Sequence, residues 1–227
     1  SVPGTDVWIA GGVYSEYVTI TALQQELRLY GGFSGSELRR IDRNVEANPT
    51  IIDGKGLPGG PGPMGTRYLM RFQKARNVVI DGLTVTGGAS DVDAQFGGGI
   101  WCFGCDETVV FRDCRIAGNS TTAYGAGVLV RGTFPEPTVL TGPVFRSCLF
   151  AGNAAVENPD IAPLWGGHGG GVVCLHSSAS FVDCTFRGNH AQKTGGALRM
   201  WLSPDGAAAL RPVLVEDCTF VGNSAGL

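Results

Sequence analysis

Apolar and polar residues alternate in four short segments that end almost alike. Their Gly-Asn pairs recur at offsets of 34, 36 and 34 residues, a spacing typical of stacked supersecondary units. Alternation over so few residues indicates a β-strand with one buried face. The four copies are FRDCRIAGN (Phe111–Asn119), FRSCLFAGN (Phe145–Asn153), FVDCTFRGN (Phe181–Asn189) and VEDCTFVGN (Val215–Asn223).

A glycine cluster precedes a second short strand in each unit. The clusters are Gly97–Ile100, Gly125–Val128, Gly169–Val172 and Gly195–Leu198, and an earlier, weaker copy of the first pattern covers Asn77–Gly88. We therefore predict an all-β fold, a right-handed single-stranded parallel β-helix of about seven coils. We expect one domain over residues 1–227, with irregular opening coils over 1–88 and regular repeats over 97–223. Because open solenoid ends usually carry caps and this chain has none, we expect it to be part of a longer protein.

Two residue types recur at fixed repeat positions. The asparagines that close the repeats are interpreted as turn formers whose amides hydrogen-bond from coil to coil. Four cysteines share an inward position and are expected to form a column of thiols in the core; the distance between adjacent coils permits a disulfide, but stacked Cβ vectors point the same way and suit one poorly. Cys102 and Cys105 form a lone C-x-x-C without the second pair that a zinc finger needs. The recurring residues are Asn119, Asn153, Asn189 and Asn223, and Cys114, Cys148, Cys184 and Cys218.

Composition limits the partners of the chain. Charged residues make up only 16% and the net charge is −3, which gives no electrostatic footprint for nucleic acid or an anionic membrane. No apolar run approaches the ~20 residues of a membrane-spanning helix, so we expect no transmembrane segment.

Paired tetrapeptides in the repeats resemble those of a known protein family. GGGI, GAGV, GGGV and GGAL, paired with IAGN, FAGN, FRGN and FVGN, resemble the GGA-I and F-x-x-N repeats of chlamydial polymorphic outer-membrane proteins. The opening segments VWIAGGVYSEYVTI, LRLYGGFSG and NPTIIDG resemble the first coils of secreted bacterial β-helix proteins of the pectate-lyase-like superfamily. The resemblance implies an extracellular or cell-surface passenger domain, associated with a bacterial outer membrane and often adhesive.

The outward rows of the glycine-preceded strands are unusually apolar for a solvated sheet. Such a patch usually marks a contact surface, and aromatic rows suit the faces of sugar rings. The alternative is that the chain's own loops or another domain cover this face. The rows are Trp101, Leu129, Val173 and Arg199, then Phe103, Arg131, Leu175 and Trp201; we predict that Trp101, Phe103, Arg199 and Trp201 bind a ligand.

Long insertions supply further candidates. Loops of this length without secondary structure are often functional. The insertion over Ala154–His168 contains Trp165 and His168, which we add to the predicted binding residues, and two further insertions cover Arg131–Pro143 and Ser203–Pro212.

Acidic residues suggest a cation. Asp183 and Asp217 share one repeat position, so their carboxylates should lie ~5 Å apart and repel unless a cation such as Ca²⁺ bridges them. The sequence shows no pair of carboxylates facing each other across a groove, as glycoside hydrolysis requires.

We therefore predict a secreted or cell-surface, adhesin-like binding or structural module whose ligand is a glycan or a surface protein. No catalytic residue is assigned. Two alternatives stay open: a polysaccharide lyase or glycoside hydrolase with a site built by the long loops, and a self-assembling surface-structure subunit.

Overall fold

The computed structural model describes residues 4–24, 26–57, 68–90, 98–133, 141–157, 166–201 and 213–226. Apart from one 3-10 helix at Arg40–Asp42, its regular elements are short strands. In the described residues no helix is long and apolar enough to cross a membrane.

The opening coils contain β1 (Asp6–Ala10), β2 (Gly12–Tyr14), β3 (Val18–Thr21), β4 (Arg28–Phe33), β5 (Thr50–Asp53), β6 (Met70–Gln73), β7 (Val78–Asp81), β8 (Leu83–Thr86) and β9 (Ala89–Ser90). The later coils contain β10 (Ile100–Phe103), β11 (Val109–Arg112), β12 (Arg115–Ala117), β13 (Ser120–Thr121), β14 (Val128–Arg131), β15 (Val144–Arg146), β16 (Leu149–Ala151), β17 (Ala154–Ala155), β18 (Val172–Leu175), β19 (Ser180–Val182), β20 (Thr185–Arg187), β21 (His190–Ala191), β22 (Leu198–Trp201), β23 (Leu214–Glu216), β24 (Thr219–Val221) and β25 (Ser224–Ala225).

These strands form four parallel sheets that run along the solenoid. Sheet A has the order β3-β6-β10-β14-β18-β22, sheet B β1-β4-β7-β11-β15-β19-β23, sheet C β2-β5-β8-β12-β16-β20-β24, and sheet D β9-β13-β17-β21-β25. In a regular coil the chain visits sheets A, B, C and D in turn and then returns to A one coil further on. The seven strands of sheets B and C confirm the predicted right-handed parallel β-helix of about seven coils.

Strand register places equivalent repeat residues above one another. Arg112 pairs with Arg146, and Arg115 pairs with Leu149, so Cys114 and Cys148 between them occupy the same position in adjacent coils. All seven cysteines are free thiols. The predicted cysteine column is thereby confirmed.

Phenylalanine ladders fill the core beside this column. In sheet B the rings of Phe111, Phe145 and Phe181 stack with centroids 4.8 and 5.3 Å apart. In sheet C the Phe150 and Phe186 rings stack at 4.6 Å. The spacing matches the distance between neighbouring strands, so each ring packs on its own counterpart in the next coil.

The asparagines form a buried ladder beside a glycine turn. The Asn119 side-chain amide donates to Asn153 Oδ1 at 3.0 Å, and Asn153 donates to Asn189 Oδ1 at 2.9 Å. These three side chains are buried, and the predicted coil-to-coil amide bonds are present. The prediction that the asparagines themselves form the turns needs correction, because the preceding glycines adopt the left-handed backbone, with φ of 59–64° at Gly118, Gly152, Gly188 and Gly222.

Candidate binding face of sheet A

The outward face of sheet A carries two rows of side chains, and strand register fixes both of them. Row 1 consists of Thr19, Arg71, Trp101, Leu129, Val173 and Arg199. Row 2 consists of Thr21, Gln73, Phe103, Arg131, Leu175 and Trp201. The structure therefore brings Trp101 and Arg199 into one row, and Phe103 and Trp201 into the other.

Three turns of the chain cover the middle of row 1. They are the cover turns, defined as residues 123–125, 167–169 and 193–195, and they pair through the bridges Tyr124↔His168 and His168↔Thr194. Leu129 and Val173 beneath them are fully buried although they point outward. Close packing of these turns on row 1 explains why glycine occurs in them. A Cβ on Gly169 would overlap the Val173 side chain, and one on Gly195 would overlap Cβ of Arg199.

His168 belongs to this cover and is only 8% exposed. Its ring stacks on Tyr124 with centroids 5.5 Å apart, and its Nδ1 lies 3.0 Å from the Thr194 hydroxyl. Burial, with the positive charges of Arg199 and Lys193, lowers the pKa of His168 to about 4. The imidazole is therefore neutral at pH 7, and its position gives it a packing role over row 1.

Arginines lie against the aromatic rings at both ends of row 1. The Arg71 guanidinium lies 4.9 Å from the Trp101 ring centroid, and that ring also stacks on Tyr68 at 5.0 Å. At the other end Arg199 lies 4.7 Å from the centroid of Trp201, its row 2 neighbour. These ring faces are thus occupied by the protein itself, and the face presents planar guanidinium groups as well as aromatic rings.

Charge on this face has one sign. The two rows contain three arginines and no carboxylate. Arg71 Nε, Trp101 Nε1 and Arg199 Nη1 are shielded from water, and within the described part of the chain none of the three has a hydrogen-bond partner. All three atoms are donors, and the Tyr68 hydroxyl beside Trp101, which can donate or accept, is likewise shielded and has no partner among the described residues.

Row 2 is the accessible part of the face. Phe103, Arg131, Leu175 and Trp201 are all partly exposed. Trp165, the sixth predicted binding residue, lies outside the described residues, as do 134–140, 158–165 and 203–212 of the three insertions. The assignment of Trp101, Phe103, Trp165, His168, Arg199 and Trp201 to binding stays a prediction.

Sequence reasoning missed Tyr68, Arg71 and Tyr124 on this face. Tyr68 precedes, and Arg71 lies within, a strand that, unlike the later strands of sheet A, has no glycine in the two residues before it, so nothing marked β6 as part of sheet A. Tyr124 precedes Gly125 in the cover turns, and its ring meets Trp201 edge-on at 6.1 Å. Extending the repeat by one coil before Ile100 would have pointed to β6, whose Met70 pairs with Ile100.

A left-handed backbone conformation explains why aspartate recurs at one position of the repeat. Asp113, Asp183 and Asp217 adopt φ of 49–54°, as does Ser147 with φ of 50°. Aspartate tolerates this left-handed conformation better than most residues, which accounts for its recurrence. Asp183 also accepts a hydrogen bond from the Ser147 hydroxyl at 2.9 Å. Among the described residues no cluster of three or more histidine, cysteine, aspartate or glutamate side chains could hold a metal ion. Calcium bound by Asp183 and Asp217 stays a prediction, which a calorimetric calcium titration tests.

A separate cavity of about 530 Å³ lies where the asparagine ladder stops. Ala117 pairs with Thr86, so the position equivalent to Asn119 one coil earlier is Gly88, which has no side chain to continue the ladder. Asp53 and Lys55 are the charged residues among its described lining. Asp53 Oδ1 accepts from the Lys55 backbone amide at 2.9 Å, so this carboxylate is engaged in its own turn.

Comparison with known proteins supports the repeat. The family model described as the Chlamydia polymorphic membrane protein repeat matches residues 183–199, which confirms the resemblance over one FRGN–GGAL unit. No curated protein matches the chain. Among solved structures the chain is similar to pectin methylesterase in complex with hexasaccharide VII, with 13% identity, 99% of this chain and 82% of that chain covered, and a TM-score of 0.39. An alanine mutant of pectin methylesterase in complex with hexasaccharide IV gives 14% identity, the same coverage and a TM-score of 0.34.

Proposed function

We propose that this chain is a β-helix binding module of a bacterial cell surface or outer membrane, or of a secreted protein, and that the outward face of sheet A binds acidic glycans. The observation that carries the proposal is the set of three arginines beside partly exposed aromatic rings, in two rows that contain no carboxylate. Guanidinium groups pair with carboxylates and sulfates through two parallel hydrogen bonds, and the partly exposed rings beside them add apolar contact area.

The spacing of the rows suits a linear polymer. Arg131, Leu175 and Trp201 occupy successive coils in row 2, so their side chains repeat along the solenoid at the strand spacing. A chain lying along row 2 would contact several coils at once.

Calorimetric titration with acidic and neutral hexasaccharides of equal length tests the proposal. We expect the acidic ligand to bind, the neutral one to bind at least tenfold more weakly, and affinity to fall with added salt. The double variant Arg131→Gln with Arg199→Gln should lose about tenfold or more, since hydrogen bonds to charged groups contribute roughly 1.5–3 kcal/mol each.

Arg146→Gln is the matched control. Arg146 is an exposed arginine on the outward face of sheet B, so its loss should leave binding unchanged. Equal affinity for the two ligands, or equal losses in the two arginine variants, would contradict the proposal. Release of unsaturated or reducing-end sugars during the titration would instead identify an enzyme.

A further inference from the structure

The three arginines on the outward face of sheet A lie in alternate strands. Arg71 belongs to β6, Arg131 to β14 and Arg199 to β22. The sheet has the order β6-β10-β14-β18-β22, so one strand separates each arginine from the next. Since neighbouring strands lie about 4.8 Å apart, equivalent positions on alternate strands are about 9.6 Å apart along the solenoid. Arginine therefore recurs on this face at every second coil.

The guanidinium groups of all three residues approach row 2. Arg131 belongs to that row, whereas Arg71 and Arg199 start from row 1. Arg71 Nη2 donates to Oε1 of Gln73, the row 2 residue of its own strand, at 2.6 Å. The Arg199 guanidinium lies 4.7 Å from the ring centroid of Trp201, the row 2 residue of its strand. All three arginines are partly exposed, so row 2 presents positive charge to solvent at every second strand.

The two strands between the arginines carry no charge on this face. β10 contributes Trp101 and Phe103, and β18 contributes Val173 and Leu175. An ionised carboxylate held over these side chains would lose water without gaining an opposite charge, which costs free energy. A neutral sugar at the same place has no charge to desolvate. Cationic and uncharged strands thus alternate along the face.

We propose that the preferred ligand of this face is a linear glycan in which acidic and neutral sugars alternate, with one acidic sugar at each arginine. This inference rests on the proposed function and specifies the ligand class of the same surface. One sugar of an extended glycan is about as long as one strand spacing, so a disaccharide unit matches the distance between successive arginines. A glycan with an acid on every sugar carries more charge but finds no additional guanidinium partners.

Calorimetric titration with three hexasaccharides tests the spacing. The alternating ligand consists of glucuronic acid and N-acetylglucosamine, the uniform ligand of galacturonic acid alone, and the neutral ligand of N-acetylglucosamine alone. We expect the alternating ligand to bind about threefold or more tightly than the uniform one at equal ionic strength, although it has half the charge, because its carboxylates match the arginine positions. The neutral ligand should bind about tenfold or more weakly than the alternating one.

An exchange of two residues within row 2 makes the test specific. The double variant Arg131→Leu with Leu175→Arg moves the middle guanidinium by one strand and keeps the composition and net charge of the chain. The two positions are register partners and both are partly exposed. We expect the ratio of alternating to uniform affinity to fall about tenfold, because one acidic sugar loses its guanidinium partner. Circular dichroism shows whether the variant is folded, and the wild-type comparison stands without it.

The outcomes separate the spacing from the proposed function. Equal or tighter binding of the uniform ligand, or an affinity ratio that a folded exchange variant leaves unchanged, would overturn the spacing while the face still binds acidic glycans. Binding of neither acidic ligand, or equal affinity for the neutral one, would overturn the proposed function and the spacing with it.

Discussion

The interior of the solenoid repeats its residue types from coil to coil, whereas the outward face of sheet A does not. Both regions, the inward columns of sheets B and C and the outward rows of sheet A, consist of equivalent positions in successive coils. Phe111, Phe145 and Phe181 stand in one inward column as identical residues and are all fully buried. Row 1 instead changes from Trp101 through Leu129 to an arginine at its end. An interior column is constrained by its own copy in the next coil, whereas an outward row is free to vary with what it contacts.

The difference separates fold from function within one repeat. Identical rings stacked at the strand spacing and a continuous amide ladder specify how coils stack, and any one coil is interchangeable with the next. The residue type changes from coil to coil along the outward face of sheet A. Its two rows carry only positive charge, and the cover turns bury the middle of row 1. We infer that regular columns carry stability and that irregular rows carry recognition.

The largest effect should come from removing an interior ring. Phe150→Ala should lower the free energy of unfolding by about 3–5 kcal/mol, because it leaves a cavity in a fully buried column. Phe103→Ala on row 2 should cost roughly 1 kcal/mol, since that ring is already partly exposed. Urea denaturation of both variants makes the measurement. Equal losses would show that the outward rows contribute to stability as the interior does.

Next in size is a break in the amide ladder. Asn153 donates to Ile116 O and Asn189 Oδ1 and accepts from the amides of Asn119. Asn153→Ala should cost about 2–4 kcal/mol, because the buried Asn119 backbone N–H and Ile116 carbonyl of the coil before both lose their partners.

Asn223→Ala is the matched control for the ladder. Asn223 ends the ladder and is only partly buried, so water replaces its lost hydrogen bonds and the cost should be about 1 kcal/mol or less. If urea denaturation gives the same loss of unfolding free energy for Asn153→Ala and Asn223→Ala, burial does not set the stabilisation that a ladder asparagine provides.

A smaller effect should follow from the cover turns. His168 has its pKa lowered to about 4 in the folded protein, so between pH 6.5 and 4 the unfolded chain binds a proton that the folded chain does not. Stability should therefore fall as pH falls through this window. The loss should be roughly 1–3 kcal/mol larger in the wild type than in His168→Gln. Parallel stability profiles for the two proteins would show that His168 is not held neutral by the cover.

The smallest effect should come from the turn before the cysteine column. Asp113 has φ of 49°, so Asp113→Val should cost about 1–2 kcal/mol because a β-branched residue is strained there. Asp113→Gly should be neutral or slightly stabilising, since glycine accepts this backbone freely. Thermal denaturation of the two variants checks the sign. A stable valine variant would mean that the turn relaxes to another conformation.

The sequence predicted the interior closely and the face only in part. Periodicity alone placed Cys114 above Cys148 and the phenylalanines on their counterparts. Identical residues at a fixed offset are compatible with only one strand register between neighbouring coils. It assigned the left-handed turn to the asparagines, since the sequence does not tell which residue of a Gly-Asn pair bends. It left open whether loops cover row 1, because Tyr124 packs with Leu129 and Val173 through tertiary contacts that no local pattern encodes.

The outward face of sheet A as the binding surface is tested most directly by the tryptophan indole signals in a nitrogen–proton correlation spectrum. Trp101 and Trp201 lie on this face, whereas Trp8 lies in β1 of sheet B and serves as an internal control. Phenylalanine substitutions assign each signal. On titration with an acidic hexasaccharide we expect the Trp101 and Trp201 signals to shift together while Trp8 stays fixed. A shift at Trp8 alone, or no shift at Trp101 and Trp201 under saturating ligand, would contradict the account.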